Sequence, residues 1–528
     1  MKAKTIKNAV EAHGWVGVIL SVPLFIVFWA GALTLFFPEV SLWSNLPLRS
    51  VEASVQDSPP PSLSSLVEAQ LRTVDADTTK KPIFLSLPGA HSPFVELSVP
   101  IVEDLEEEGR AEFLVDPQTG ETISRGHPFE LASFLYALHY NLKLPQGAYI
   151  VGLITLFFLV LLMTGLVIQL KNLLNHFFLY RHDKGQRMRA YDIHTVAGVV
   201  TGPFALMYAL TGLMFNLNVL FYFPALKVVY EDDQVALMKD AGFPRLQVEP
   251  AGVAAEMPAL EPLIARVEAV HEAEVSALSF MAFGDENAVI RFSGMKDGFG
   301  KRLDVRYEVA SQSFPEALNA GSETAFSGIV MPLFMAHMGQ FGGPGVRFLL
   351  FLLAWGVCGL ILAGNVLWLV KREKQLSSYP WSHGLVRGLT LGACTGTIVA
   401  TAAAFVFERS LPASLEGRVW MVQFMFGLVL LASTLTGFAV TSVRRFLAWS
   451  AISTAGLLAW VFLWDLYVHG RSIVVLWQAG ETASGAVTLG LLVGAAFFAW
   501  LGSRILALGA DQARTKAGFS TGATQTSP

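Results

Sequence analysis

Four histidines stand at the mouths of apolar segments, and they form two matched pairs. His13 is followed by Gly17 and Gly31, and His194 by Gly198 and Gly212, at the same offsets. His139 precedes the segment 147–170 and His337 the segment 346–370, with Gly147 and Gly345 again at one shared offset. A lone histidine at such a place is ordinarily a helix cap or a headgroup contact. Four in a repeating pattern read as a cofactor site built twice. Neutral imidazole is the usual protein ligand of haem iron, and two opposed imidazoles hold a b-type haem suited to electron transfer. Helical bundles build such sites from facing helices. The sequence has no C-x-x-C-H, which excludes covalent c-type attachment. The pattern predicts two haem b groups, one on His13 and His194 and one on His139 and His337.

The elements that must position these ligands are membrane helices. Of 528 residues, 53% are hydrophobic and only 15% charged, against roughly 25% charged in soluble domains. Spanning takes about 20 apolar residues, and eight stretches qualify: 14–37, 147–170, 195–218, 346–370, 386–407, 420–441, 446–467 and 484–506. The apolar run of the first is too long for a signal peptide, so it reads as a retained helix. Positive residues set the orientation. Lys2, Lys4 and Lys7, the loop 171–193, the loop 371–385, Arg444 with Arg445, and Arg504 all fall on one side if eight helices alternate. That side is the cytoplasm, with both termini inside. His13 and His194 then lie near the inner face, and His139 and His337 near the outer.

Two long connections face the opposite side, 38–138 and 219–336, each the length of a small domain. In the first, IFLSL at 83–87 and FVELSV at 94–99 alternate as strands do. AEFLVDPQTGETIS at 111–124 reads as a hairpin with Gly120 in its turn. The second has a helix pattern at 258–272 and strands near 287–292 and 302–309, and its turn at 310–313 lacks the Asp and Gly of the first. Residues 1–370 thus read as an internal duplication of helix, outside domain and helix. A region of four further helices, 376–510, and a disordered tail, 511–528, complete the chain.

The histidine-led first helix, the DxxTGE hairpin, LHYNLKLPQGAYIVGL, DIHTVAGVV with ALTGL, and AHMGQFGGPGVRFLLFL resemble the PepSY-associated transmembrane family. The resemblance covers about 1–375. It implies two small periplasmic α+β PepSY-like domains, 38–138 and 219–336 (the second degraded), on an α-helical integral protein of the bacterial inner membrane. Some members are haem-containing reductases that release iron from siderophores, so it implies a ferric siderophore as substrate. The sequence has no G-x-G-x-x-G after a strand, no P-loop and no inner domain large enough for a flavin or nicotinamide cofactor. Electrons would come from a separate cytoplasmic donor or from quinol in the bilayer.

Other residues read more plainly. His176, His182 and His383 belong to inner loops, His91, His127 and His271 to the outside domains, and Glu103–Glu108 to a solvated run. Asp192 is either a partner for the second imidazole N–H of His194 or a helix cap. His469 reads as a further outer ligand or a substrate contact, and Asp465 lines a polar cavity. Met338, next to His337, points away from any iron that His337 binds. Trp29, Trp355 and Trp368 pack on porphyrin or, more ordinarily, sit at the interface. Cys358 and Cys394 fall within spans and make no disulfide framework. A net charge of −5 gives no reason to expect nucleic acid. Two rival readings stay open: a permease whose histidines carry protons or solute, and a membrane-anchored PepSY binding protein.

Overall fold

The structure, a computed structural model, describes residues 3–522 apart from 45–59, 79–80, 90–93, 102–108, 126–129, 171–178, 242–247, 297–301, 316–325, 340, 374–379, 413–414, 416 and 479–480. His91, His127, His176 and the acidic run at 103–108 lie outside the described residues. The chain divides into two compact units.

The first unit gathers 1–44, 130–217 and 344–528. Its helices are α1 (Ala3–Thr34), α2 (Phe37–Ser44), α4 (Glu130–Asn141), α5 (Gly147–Gln169), α6 (Gln186–Asn216), α11 (Gly343–Arg372), α12 (Pro380–Leu389), α13 (Thr395–Ser410), α14 (Arg418–Ala439), α15 (Val443–His469), α16 (Ile473–Gln478) and α17 (Thr482–Gly522). Among the described residues, eight helical runs are long and apolar enough to cross a membrane, and each overlaps one expected span. The fifth, Pro380–Ser410, joins α12 to α13 through a π-helical turn at Thr390–Cys394. The tail expected to be disordered continues α17 to Gly522, because DQARTKA is rich in helix formers.

The second unit holds 45–129 and 218–343. It contains α3 (Leu63–Leu71), α7 (Val219–Pro224), α8 (Gln234–Asp240), α9 (Leu260–His271) and α10 (Ser327–Met338). Its strands are β1 (Ile83–Ser86), β2 (Val95–Pro100), β3 (Arg110–Val115), β4 (Thr122–Arg125), β5 (Ala273–Met281), β6 (Val289–Lys296) and β7 (Arg302–Glu308). All seven form one antiparallel sheet in the order β4-β3-β2-β1-β5-β6-β7. The segments expected as two domains therefore share a sheet, joined where Leu85 of β1 pairs with Leu278 of β5. Alternation explains the join. Ile83, Leu85, Leu97, Leu278, Phe280, Ile290 and Phe292 are fully buried on one face, in a core that also holds Leu66 and Val67 of α3 and Leu260 and Val267 of α9. Splitting the segments would strip that core from β1 and β5 alike.

The hairpin at 111–124 forms as expected. Asp116 accepts from Gln118 N–H at 2.8 Å, and Gly120 takes a φ of +73°. Strand β5 escaped the sequence reading because it follows α9 directly, through Glu272 in a left-handed conformation. Domain edges moved too: α2 and α4 belong with the membrane helices, not with the sheet.

Candidate functional site

Helices α1, α5, α6 and α11 bring His13 and His194 together, with ring centroids 6.2 Å apart and ring planes at 81°. The Nδ1 of His194 lies 3.0 Å from the carbonyl oxygen of Leu360, an atom that only accepts. Nδ1 therefore carries the proton, and the Nε2 lone pair is left for a ligand. The Nδ1 of His13 lies 3.0 Å from the Thr164 hydroxyl. That hydroxyl donates to the carbonyls of Val160 and Leu161, so it accepts from His13 and fixes the same tautomer.

Glycine makes both contacts possible. A Cβ on Gly364 would stand 3.0 Å from Cε1 of His194, and one on Gly165 3.3 Å from Cε1 of His13. Gly364 lies one turn after Leu360, and Gly165 one turn after Leu161. On α11 the missing Cβ uncovers the Leu360 carbonyl for His194, and on α5 it leaves room for the His13 ring beside Thr164.

The arrangement at His194 appears a second time. His139, in the last turn of α4, donates from Nδ1 to the Val27 carbonyl at 2.9 Å. Gly31 follows Val27 by one turn, and a Cβ there would come within 2.6 Å of that ring. His139 thus does not lead α5, as expected, but ends a separate helix packed on α1. The break between α4 and α5 is set by Leu142, Lys143 and Gln146, all at positive φ. Val27 lies 14 residues beyond His13 in α1, about 21 Å along the helix axis.

His337 lies in the last turn of α10, in the other unit. His182 is exposed, His383 and His271 are partly exposed, and His469 is exposed at the end of α15. Both sequence readings of Asp192 are corrected. Its carboxylate takes the backbone N–H and Nε of Arg181, at 2.9 and 3.0 Å, and the Arg181 Nη2 as well. It caps nothing, being inside α6. Asp465, expected to line a polar cavity, is buried and engaged by Arg409 at 2.8 Å.

Two imidazoles bound to opposite sides of one iron stand about 6 Å apart between centroids, two metal–nitrogen bonds of about 2 Å plus the near half of each ring. The observed 6.2 Å fits an iron between His13 and His194. Sequence reading found these histidines but missed Thr164, Gly165 and Gly364. The available signal was a glycine one turn beyond a carbonyl, on a helix other than the histidine's own.

A model of the PepSY-associated TM region matches residues 10–371. The chain belongs to that family, as a multi-pass membrane protein. No curated protein is similar enough to count as a match.

Proposed function

We propose that this protein holds two b-type haems in the inner membrane, one on His13 and His194 and a second with His139 among its ligands. It passes electrons across the bilayer to ferric iron in periplasmic siderophore complexes. Both termini are cytoplasmic in this reading, and the sheet unit is periplasmic. The observation that carries it is the 6.2 Å separation of two imidazoles whose Nδ1 protons are already engaged.

Bound haem would supply one-electron transfer at each site. The chain's own part is to fix tautomers, aim Nε2 and hold ring spacing. Carbonyl acceptors on histidine also raise ligand basicity, which favours ferric over ferrous iron. The offset of about 21 Å between the levels of His13 and Val27 supports two sites stacked along one helix. Reduction of Fe³⁺ to Fe²⁺ weakens its hold in hard-oxygen chelators, so iron is released. A quinol or a cytoplasmic reductant is the electron source.

The test is the optical spectrum of detergent-purified protein, oxidised and then reduced, with a pyridine haemochrome count. A sharp reduced α-band of b type and about two haems per chain are expected. A colourless protein, from cells with ample haem, would sink the reading and bring forward the permease.

A further inference from the structure

Three buried indole N–H groups have no hydrogen-bond partner among the described residues: those of Trp43, Trp355 and Trp368. Buried tryptophan usually satisfies this donor. Trp368 differs from the other two in its surroundings. It lies four residues after Gly364 on α11, hence on the same face, and is 4% exposed. Gly364 is the residue beneath His194. Cδ1 of Trp368, the carbon bonded to its Nε1, lies 3.6 Å from where a Cβ of Gly14 would stand, next to His13. The edge that carries the N–H therefore faces α1 beside one histidine, while its own helix supports the other.

Charge collects one turn further on. The Arg372 guanidinium lies 4.4 Å from the Trp368 ring centroid and 5.1 Å from that of Trp15. Arg372 and Lys371 both pair with Glu11, at 2.9 and 2.8 Å. Among the described pairs, two cations thus share one carboxylate, an excess of one positive charge. A donor without an acceptor, beside a surplus cation, calls for an anionic acceptor.

We propose that Trp368 donates its indole N–H to a carboxylate of the ligand held between His13 and His194, with Arg372 and Lys371 supplying the balancing charge. This rests on the bis-histidine haem reading, and the carboxylate is then a haem propionate. The stripe Gly364, Trp368, Arg372 would turn the acidic edge of the macrocycle toward the Arg372 end of α11.

The test compares full-length wild type with Trp368→Phe, each loaded with haem and separately with haem dimethyl ester. Resonance Raman reads the propionate bending band, and apomyoglobin capture reads haem retention. With haem, Trp368→Phe is expected to shift the band and weaken retention about tenfold, the factor that one lost hydrogen bond gives. With the dimethyl ester, the two proteins should retain the ligand alike. Glu11→Gln, at a partly exposed side chain, keeps the indole in place and should raise the midpoint potential of this haem. An unshifted band with unchanged retention in Trp368→Phe, or an equal loss with the ester, would overturn the proposal. Failure of the underlying reading looks different: wild type would then show no haem that His13→Ala removes.

Discussion

Within one membrane unit, the turn joining α13 to α14 and the site between α1 and α6 bury polar groups in opposite ways. In the first, every named charge meets another. Arg409 donates to Asp465 at 2.8 Å and to the Trp43 carbonyl at 2.7 Å, and its guanidinium sits 4.1 Å from the Trp43 ring centroid. Glu408 pairs with Arg418 at 3.1 Å. In the second, each histidine spends one nitrogen on the protein and keeps the other. Closed pairs hold helices together, whereas groups with an atom in reserve are prepared for something that arrives later. Removing a member should therefore cost fold in one region and ligand in the other.

The largest expected effect tests the site. His13→Ala or His194→Ala should each remove one whole haem of two, read by pyridine haemochrome, with the monodisperse protein peak unchanged. Loss of both haems would mean that the sites are not independent. Arg409→Ala comes next, because it strands Asp465 in the interior. It should cost about 3–5 kcal/mol, read as a lower midpoint in thermal unfolding, while surviving protein keeps its haem count. Gly31→Ala lies between the two kinds of region: its methyl would push on the His139 ring. The haem on His139 should bind roughly 10–100-fold more weakly, the range for a disturbed supporting contact, with the His13 haem intact.

The smallest effect belongs to the sheet unit. Backbone N–H groups of Ala251, Asn287 and Gly252 hold the Asp285 carboxyl below the usual carboxylate range. A lowered folded value means that the contribution is fully present above about pH 4, the ordinary value, and is lost as pH falls through the folded one. Hydrogen exchange across 249–288 in the full chain should quicken below pH 4, and Asp285→Asn should show that quicker exchange already at pH 7. Exchange in the mutant that matches wild type at neutral pH would dismiss the role.

Legibility followed the physics of each feature. Spans were readable because twenty apolar residues have no cheaper place than a bilayer, and the eight expected stretches coincide with eight helices. His13 and His194 were readable as a pair because their spacing to Gly17 and Gly198 repeats within the line of sequence. Gly165 and Gly364 were not, since each serves a ring on another helix, and such a relation exists only after packing. Asp192 misled for a related reason. Its neighbour in sequence is His194, but its neighbour in space is Arg181, which reaches it from before the start of α6. The shared sheet was hidden because pairing of β1 with β5 depends on two strand edges far apart in the chain, and edges leave no mark in periodicity.

That junction has a consequence for how the protein is made. Ser86 ends β1 and Ala273 begins β5, with α5 and α6 between them. At 5–20 residues per second, the roughly 190 intervening residues occupy a ribosome for about 10–40 seconds. Throughout that interval the first strands can pair only among themselves, and β1 stands as an open edge that any extended chain could join. Emergence of β5 ends the exposure. Truncated chains that stop after α6 should accordingly self-associate, while the finished polypeptide closes the seam with its own later strand.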